Sequence, residues 1–328
     1  MTAANAIIEC RLCPKRCKLA PGERGDCRAR VNLDGQFTTL VYGKPCALHI
    51  DPIEKKPLHH FLPGTPIFSI AAAGCNLHCA FCQNWRISQT DPEDAENEAF
   101  SPEQIVQTAI DNRCPSIAYT YTEPIIYFEY TYDTSALARR RGLKNVLVTA
   151  GYIEPEPLEE LCAVADAANV DLKSFSDRYY REVCAATLAP VLRTLEIMTK
   201  RGVLVEITTL IVPTLNDDMG MIREMCQWIK TTLGPDTPLH LSRFQPQYRL
   251  TALPPTPHGT LVEAAEIAVA EGLHYVYVGN LPDDRFAHTY CPNCKKAVIR
   301  RQGFRILESN LTDGKCAACG QAIHGVWR

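Results

Sequence analysis

Short apolar runs alternate with longer amphipathic stretches along most of this chain. The apolar runs, several of them bounded by glycine or proline, predict strands at residues 67–73, 116–121, 145–149, 169–172, 203–212, 239–242 and 275–278. The amphipathic stretches predict helices at residues 101–112, 124–141, 157–165, 188–201, 217–233 and 257–271. Because parallel strands need a long crossover connection, usually a helix, this alternation predicts βαβ units and a parallel sheet. Six or seven such units are too few to close an eight-stranded barrel.

The composition is that of an ordinary globular protein, since 46% of its 328 residues are apolar and 22% are charged. The formal net charge is −3, so nothing in the overall balance indicates nucleic acid as a partner. No apolar run approaches the roughly 20 residues of a membrane-spanning helix. Residues 1–9 lack the basic region and apolar core of a signal peptide, and we therefore expect a cytoplasmic protein.

Sixteen cysteines are many for such a protein, and in a reducing compartment they indicate metal ligation rather than disulfides. Eleven of them fall into three groups, near the start, in the first third and near the end of the chain. The other five are isolated and are predicted to be small buried hydrophobic residues: Cys46, Cys114, Cys162, Cys184 and Cys226.

The second group directly follows the first predicted strand and has the spacing Cys-x3-Cys-x2-Cys: Cys75, Cys79 and Cys82. The carboxyl ends of strands are where α/β sheets and barrels carry their chemistry. Structural zinc and electron-transfer iron–sulfur clusters take four protein ligands, so three thiolates leave one position open for a substrate or cofactor. The alternatives are a zinc knuckle that borrows a distant ligand, and buried structural thiols.

The first group has the spacing Cys-x2-Cys-x3-Cys-x9-Cys and lies among basic residues, which favour thiolates: Cys10, Cys13, Cys17 and Cys27. This segment has too few apolar residues for a core, so a bound metal would stabilise it. Four thiolates fit zinc and a second iron–sulfur cluster equally by number, and coordination preference slightly favours zinc.

The third group consists of two Cys-x2-Cys pairs that predict a zinc ribbon with a structural role, iron being the alternative: Cys291, Cys294, Cys316 and Cys319. The chain is thus expected to have a metal-binding segment at residues 1–32, a connector at 33–65, the α/β domain at 66–285 and a ribbon-like module at 286–328. Within the connector, residues 51–61 are interpreted as a solvated loop, with a polar network near the site as the alternative.

The spacing of the second group, with the aromatic Phe81 before its third cysteine, resembles the signature of the radical S-adenosylmethionine (SAM) superfamily. The resemblance implies a partial (βα)6 TIM-like barrel of the α/β class, flanked by the two small cysteine-rich modules. It also implies a [4Fe–4S] cluster on the three cysteines. The open iron of that cluster would bind S-adenosylmethionine, and reduction would cleave the cofactor to methionine and a 5′-deoxyadenosyl radical that abstracts hydrogen.

Four strand-end residues are candidates for cofactor binding. Glu123 occupies the place of a Gly-Gly-Glu-like segment that contacts the methionine amino group in the superfamily, although the two glycines are missing here. Asp171 and Lys173 are similar to an Asp-x-Lys segment of glycyl-radical activating enzymes, and His240 resembles a cofactor-contacting histidine of those enzymes. The alternatives are a helix start at Glu123, an ordinary ion pair between Asp171 and Lys173, and a lone histidine without a role.

Nearly the whole chain resembles the radical enzymes of the AmmeMemoRadiSam system, which are similar to pyruvate formate-lyase activating enzyme. The stretches that carry this resemblance are residues 10–14, 51–58, 75–85 and 325–327. It implies an oxidoreductase of the glycyl-radical activase type, a protein glycine as substrate, Memo-like partner proteins, and flavodoxin or ferredoxin as electron donor. The alternatives are a radical enzyme that modifies RNA or a small molecule, and a non-catalytic scaffold in which all eleven grouped cysteines bind zinc.

Overall fold

The computed structural model describes residues 6–281 and 284–328. Two small antiparallel pairs form the N-terminal segment: β1 (Ile8–Glu9) with β2 (Lys18–Leu19), and β3 (Arg30–Leu33) with β4 (Gln36–Thr39). The central sheet has eight strands: β5 (Pro45–Pro52), β6 (Pro66–Ala72), β7 (Ser116–Tyr119), β8 (Lys144–Thr149), β9 (Ala167–Asp171), β10 (Leu204–Ile211), β11 (Leu239–Arg243) and β12 (Val276–Gly279).

The strands of the central sheet follow one another in chain order. β6 to β12 are parallel throughout, while β5 pairs antiparallel with β6 along one edge. The sheet is curved, so that its two edges approach each other. This is seen in the hydrogen bond between Tyr277 of β12, at one edge, and His60, which follows β5 at the other edge (2.6 Å). The architecture is therefore a mixed α/β partial barrel, which confirms the predicted fold class.

The helices are α1 (Trp85–Ser88), α2 (Pro102–Asp111), α3 (Phe128–Arg140), α4 (Pro155–Cys162), α5 (Asp177–Tyr179), α6 (Leu188–Lys200), α7 (Met219–Trp228) and α8 (His258–Ala270). Short 3-10 turns lie at Ile53–Lys55, Pro124–Tyr127 and Asp284–Phe286, and π turns at Tyr180–Cys184 and Ile229–Leu233. All seven predicted strands and all six predicted helices are present, with ends displaced by a few residues. No described helix has both the length and the apolar character needed to cross a bilayer.

Side-chain caps mark the starts of α2 and α7. The Ser101 hydroxyl accepts the Gln104 N–H, and the Gln104 side chain accepts the Ser101 N–H, which forms a capping box in front of α2. Asp218 caps α7 in the same position by accepting the Met221 N–H (2.7 Å). Each crossover helix then buries one face against the sheet and leaves the carboxyl ends of the strands open.

The amino end of the barrel is filled by residues from the segment after β5. Ile53, Leu58 and Phe61 are fully buried and pack against apolar side chains of β6 to β10. Several polar members of this segment are buried too, since Lys56 is 2% exposed and His60 is inaccessible, whereas Lys55 is exposed. The interpretation of residues 51–61 as a solvated loop is therefore wrong, and the polar network is what the structure contains. Most of these buried polar groups have partners, among them Lys56 with Asp51 and His60 with Tyr277, whereas Glu54 Oε2 and His59 Nδ1 have none within the described part of the chain.

The C-terminal module packs across the gap between the two sheet edges. Its strands are β13 (Thr289–Tyr290), β14 (Ala297–Gln302), β15 (Arg305–Ser309), β16 (Leu311–Thr312) and β17 (Lys315–Cys316). Arg301 is fully buried and donates to the His59 carbonyl (2.8 Å) and the Thr289 hydroxyl (2.7 Å). The Val326 N–H donates to the His60 carbonyl (2.7 Å), so the module is joined to the barrel by buried hydrogen bonds.

Candidate active site

The carboxyl ends of the strands open into a cavity of about 840 Å³. All seven residues predicted from the central motifs line it: Cys75, Cys79, Cys82, Glu123, Asp171, Lys173 and His240. The chain order of the strands explains this convergence, because each loop that follows a parallel strand arrives at the same end of the barrel.

The cysteine loop after β6 is held in place by backbone hydrogen bonds. The N–H groups of His78 and Ala80 donate to the carbonyls of Cys184 (3.0 Å) and Val183 (2.9 Å). The Leu77 N–H points at the Cys75 sulfur (3.4 Å), as backbone donors do around metal-binding thiolates. The loop is therefore a fixed frame that presents its three thiols to the cavity.

The three thiols differ in their surroundings. Burial raises the pKa values of Cys75 and Cys82, although Cys82 also contacts the Ser88 hydroxyl (3.2 Å). A hydrogen bond from Cys184 outweighs burial at Cys79 and lowers the pKa of its thiol to about 7. Cys184 is buried, as predicted for an isolated cysteine, but its contact with Cys79 was not foreseen. No spacing signal links the two residues, because the contact is made by the π turn after α5.

Glu123 lies immediately before the 3-10 turn at Pro124–Tyr127 and is 1% exposed. Its carboxylate accepts the Thr149 hydroxyl (2.6 Å) and the Ala150 N–H (2.8 Å). Burial raises the pKa of Glu123 to about 7, although these donors act in the opposite direction. It also accepts the Ile125 N–H (3.2 Å). Glu123 therefore caps the 3-10 turn and at the same time lines the cavity with the three thiols.

Asp171 and Lys173 form the expected ion pair at the end of β9 (2.9 Å between Oδ2 and Nζ). Burial acts to lower the pKa of Lys173, but the negative charges of Asp171 and Cys79 outweigh it and raise that pKa. The Lys173 ammonium lies 5.7 Å from the centre of the Phe81 ring, inside the cysteine loop. A permanent positive charge therefore stands beside the thiols.

His240 lies inside β11, deeper in the barrel than the thiols at the strand ends. Its Nε2 is hydrogen-bonded to Glu206 of β10 (2.7 Å), and its ring stacks on Tyr277 with centres 4.9 Å apart. Glu206 is fully buried and also accepts the N–H groups of His59 (3.0 Å) and His60 (2.8 Å). Burial acts to raise the pKa of Glu206, but the hydrogen bond and charge of His240 outweigh it and lower that pKa.

Lys56 was missed at the sequence level and also lines the cavity. Burial lowers the pKa of Lys56 to about 8, although Asp51 pairs with its ammonium (2.6 Å). The Tyr121 ring lies 4.1 Å from the same ammonium, and the Tyr121 hydroxyl donates to Asp51. Glu206 carried a usable signal, a single charge inside an apolar strand. For Lys56 the polar network at residues 51–61 was only the alternative interpretation, because its burial depends on the distant Tyr121 as well as on the nearby Asp51.

The four C-terminal thiols converge on one point, as predicted. Their sulfur atoms all lie within 4.8 Å of one another, with Cys291 and Cys319 3.6 Å apart and Cys294 and Cys316 3.7 Å apart. The four N-terminal thiols line a second, smaller pocket that is shared with Asn76, Ile125 and Ile126. The described residues thus place all eleven grouped cysteines on three sites.

The N-terminal segment packs directly against the loop that follows β6. Gly74 has a φ of +100°, and a Cβ built on it would overlap the Cys27 carbonyl oxygen. Gly142 also has a positive φ, +80°, but a Cβ there meets nothing within 4 Å. A substitution at Gly142 therefore introduces backbone strain alone, whereas one at Gly74 adds a steric clash with the N-terminal segment.

We expect Gly74→Ala to lower the free energy of unfolding by about 3 kcal/mol, because about 1 kcal/mol of left-handed strain adds to the cost of overpacking. Gly142→Ala should cost only the strain, about 1 kcal/mol. Anaerobic urea unfolding of both variants measures the difference. Equal losses would show that the Cys27 carbonyl does not press on Gly74.

A family model described as the Radical SAM superfamily matches residues 69–229, from within β6 into the turn after α7. An uncharacterized protein of Methanocaldococcus jannaschii is 47% identical over 318 residues, which cover 96% of this chain and 95% of that protein. Pyruvate formate-lyase-activating enzyme of Clostridium pasteurianum is 26% identical over 160 residues, which cover 48% of this chain and 66% of the enzyme.

Among solved structures, Streptococcus suis SuiB is similar in fold alone, with 13% identity and a TM-score of 0.50 over 69% of this chain and 51% of SuiB. The motif region, the barrel and these matches agree, and they confirm the resemblance noted from the cysteine spacing. The chain belongs to the radical SAM superfamily, and this membership implies an iron–sulfur cluster and S-adenosylmethionine as its cofactors.

Proposed function

We propose that Cys75, Cys79 and Cys82 hold a [4Fe–4S] cluster whose fourth iron binds S-adenosylmethionine, and that the enzyme abstracts hydrogen from a substrate in the cavity. The observation that supports this most is the convergence of the three thiols with Glu123 and Lys173 on one cavity. When bound, the cluster supplies one electron that splits S-adenosylmethionine into methionine and a 5′-deoxyadenosyl radical. A scaffold that binds only zinc fits neither this arrangement nor the family.

The surrounding side chains have roles that follow from their charges. The proposal assigns Glu123 to accept the ammonium of the cofactor, and Lys173, which pairs with Asp171, to donate to its carboxylate. The Cys184 thiol lies beside Cys79, and a thiol donor to a ligating sulfur would tune the reduction potential of the cluster. His240, deeper in the barrel and bonded to Glu206, is better placed for the substrate or the far end of the cofactor.

The first candidate substrate is a glycine residue of a partner protein. The 26% identity to an activating enzyme supports it, and the function would then be that of a glycyl-radical activase. The second candidate is an anionic small molecule. It is favoured by the deep part of the cavity, where Lys56, His59 and His240 face the space below the thiols.

The C-terminal thiols are proposed to bind zinc in a structural role. Four thiolates at about 2.3 Å from one tetrahedral zinc stand about 3.8 Å apart, close to the sulfur separations of this group. A one-electron carrier such as flavodoxin or ferredoxin is the proposed donor. A Memo-like partner remains a prediction of the resemblance.

The test of the substrate class uses an extract of the source cells grown in deuterated medium and separated by ultrafiltration into macromolecular and small-molecule fractions. If a protein glycine is the substrate, only the macromolecular fraction should transfer deuterium into 5′-deoxyadenosine, and protease treatment should abolish the transfer. Transfer from the small-molecule fraction would favour the second candidate, and sensitivity to ribonuclease would indicate RNA. Mass spectrometry of the nucleoside measures the label. Absence of label from every fraction, in protein that still cleaves S-adenosylmethionine, contradicts the proposed abstraction.

A further inference from the structure

The cysteine groups of this chain show two different sulfur arrangements. Within residues 6–281 and 284–328, the C-terminal group is the only set of three or more cysteines, histidines or carboxylates whose ligand atoms all lie within 4.8 Å of one another. Those separations suit a single tetrahedral metal ion. The N-terminal group does not share this arrangement, although its four residues line one pocket.

No three sulfurs of the N-terminal group all lie within 4.8 Å of one another, and the same is true of Cys75, Cys79 and Cys82, which line one cavity. Thiolates that bind different irons of one cluster stand farther apart than thiolates that share one zinc, because the cluster itself lies between them. The N-terminal group therefore has the four thiolates that a complete cluster needs. Its sulfurs are farther apart than those of a single tetrahedral zinc site.

The pocket is also built as iron–sulfur sites are. Cys10 and Cys27 are each 8% exposed, and the apolar side chains of Leu12, Ile125 and Ile126 line the space between the thiols. The Asp26 N–H points at the Cys17 sulfur (3.4 Å). Burial and backbone donors to sulfur are the features by which proteins set the potential of such clusters.

The segment is fixed to the barrel by a charged pair. Arg30, which lines the pocket, donates two hydrogen bonds to Glu129 of α3, both at 2.8 Å. This bidentate geometry holds the N-terminal segment in one orientation against the barrel. The pocket therefore belongs to the same rigid unit as the candidate active site.

The two thiol groups are joined through residues on both sides of Cys75. Gly74 packs on the Cys27 carbonyl, and Asn76 lines the N-terminal pocket together with Cys13. Asn76 is fully buried; its side-chain N–H donates to the Tyr152 carbonyl (2.8 Å), and its Oδ1 has no hydrogen-bond partner among the residues that the structure describes. The residues on either side of Cys75 in the chain thus contact the N-terminal thiol group.

We propose that Cys10, Cys13, Cys17 and Cys27 bind a second [4Fe–4S] cluster that passes electrons to the active-site cluster. One electron enters from a protein donor, moves from the N-terminal site to the site at Cys75, and is consumed in the cleavage of one S-adenosylmethionine. No proton or further reductant is needed for the relay. The relay depends on the proposed function, whereas the identity of the N-terminal metal does not.

Metal analysis of anaerobically purified, reconstituted protein tests the metal site. We expect about eight irons and about one zinc per chain, from two four-iron clusters and one four-thiolate zinc. A variant with Cys75, Cys79 and Cys82 all changed to alanine should keep about four irons and show the electron paramagnetic resonance signal of a reduced [4Fe–4S] cluster. Because this variant lacks the active-site thiols, its result does not depend on whether the enzyme cleaves S-adenosylmethionine. About two zincs in the wild type, or no iron in the triple variant, would overturn the proposal.

The relay is tested with the double variant Cys13→Ala/Cys17→Ala. Cleavage driven by reduced flavodoxin should fall at least 10-fold, whereas cleavage driven by dithionite, a small reductant that can reach the active site, should fall far less. Equal rates for variant and wild type with flavodoxin would overturn the relay while leaving the metal assignment intact. Should this variant fail to fold, the fully reduced wild type gives the answer, since two neighbouring clusters broaden each other's resonance signals. Two separate signals without broadening would show that the two clusters are too far apart for the proposed relay.

Discussion

Reductive cleavage of S-adenosylmethionine should be lost when Cys79 is replaced by alanine, with 5′-deoxyadenosine falling at least 1,000-fold. The loss of one of three thiolates leaves two ligands for a cluster that needs three, so the cluster is not retained. Cys79 is the sharpest choice, because its sulfur is contacted by Cys184 and lies near the Lys173 charge. The measurement is the 5′-deoxyadenosine formed anaerobically with dithionite, together with the iron content of the variant.

The matched control is Cys162→Ala. Cys162 lies at the end of α4, is also buried, and belongs to none of the three cysteine groups. This control should keep the full iron content and the activity of the wild type. A Cys79→Ala protein that still forms 5′-deoxyadenosine at the rate of the control would rule out the proposed cluster ligands.

Glu123→Gln should weaken the binding of S-adenosylmethionine by about 10- to 100-fold. A hydrogen bond to a charged group contributes about 1.5–3 kcal/mol, and the glutamine keeps the shape of the side chain while it removes the charge. The Thr149 hydroxyl and the Ile125 N–H, which share one carboxylate oxygen, can still donate to the amide oxygen. The Ala150 N–H loses its acceptor, so the free energy of unfolding of the variant is measured as well. Anaerobic calorimetry with cluster-loaded protein measures the dissociation constant.

The same residue predicts a pH dependence. The pKa of Glu123 is raised to about 7, so its carboxylate is charged above that pH and protonated below it. The affinity of the wild type for the cofactor should therefore fall as the pH is lowered through about 7, whereas that of Glu123→Gln should stay flat. The exposed Glu160 offers a control, since Glu160→Gln should reproduce the wild-type curve. A Glu123→Gln protein with the same pH dependence of affinity as the wild type would show that this carboxylate does not bind the cofactor.

The sequence predicted the repeating part of the fold well because strand and helix periodicities report local burial. The strands that carry the site, such as β6 and β9, are buried along nearly their whole length and end beside the motif residues. β5 was missed, because it begins with a proline, mixes polar and apolar residues and pairs at a sheet edge. Its place in the sheet depends on pairing with β6 rather than on its own pattern.

Only those site residues could be predicted that belong to a spaced cysteine motif or lie at the end of a predicted strand. The three cysteine groups were visible as motifs, and Glu123, Asp171 and Lys173 as strand-end residues. Cys184 and Lys56 were not visible, because the first reaches Cys79 from a distant turn and the second is buried only through Asp51 and Tyr121. Charged residues are exposed to solvent in most proteins. Only the folded structure shows which of them are buried and paired with a residue of opposite charge.

The hairpin turn between β14 and β15 places Gly303 and Phe304 on the wall of the cavity, and Arg301 from the same hairpin reaches the His59 carbonyl. One wall of the cavity is thus made by the module that also contains Cys291, Cys294, Cys316 and Cys319. If these four thiols bind zinc, as proposed above, their oxidation would release the metal, loosen the hairpin and open the cavity to solvent. The exclusion of water from the proposed radical reaction would then depend on the redox state of a separate module.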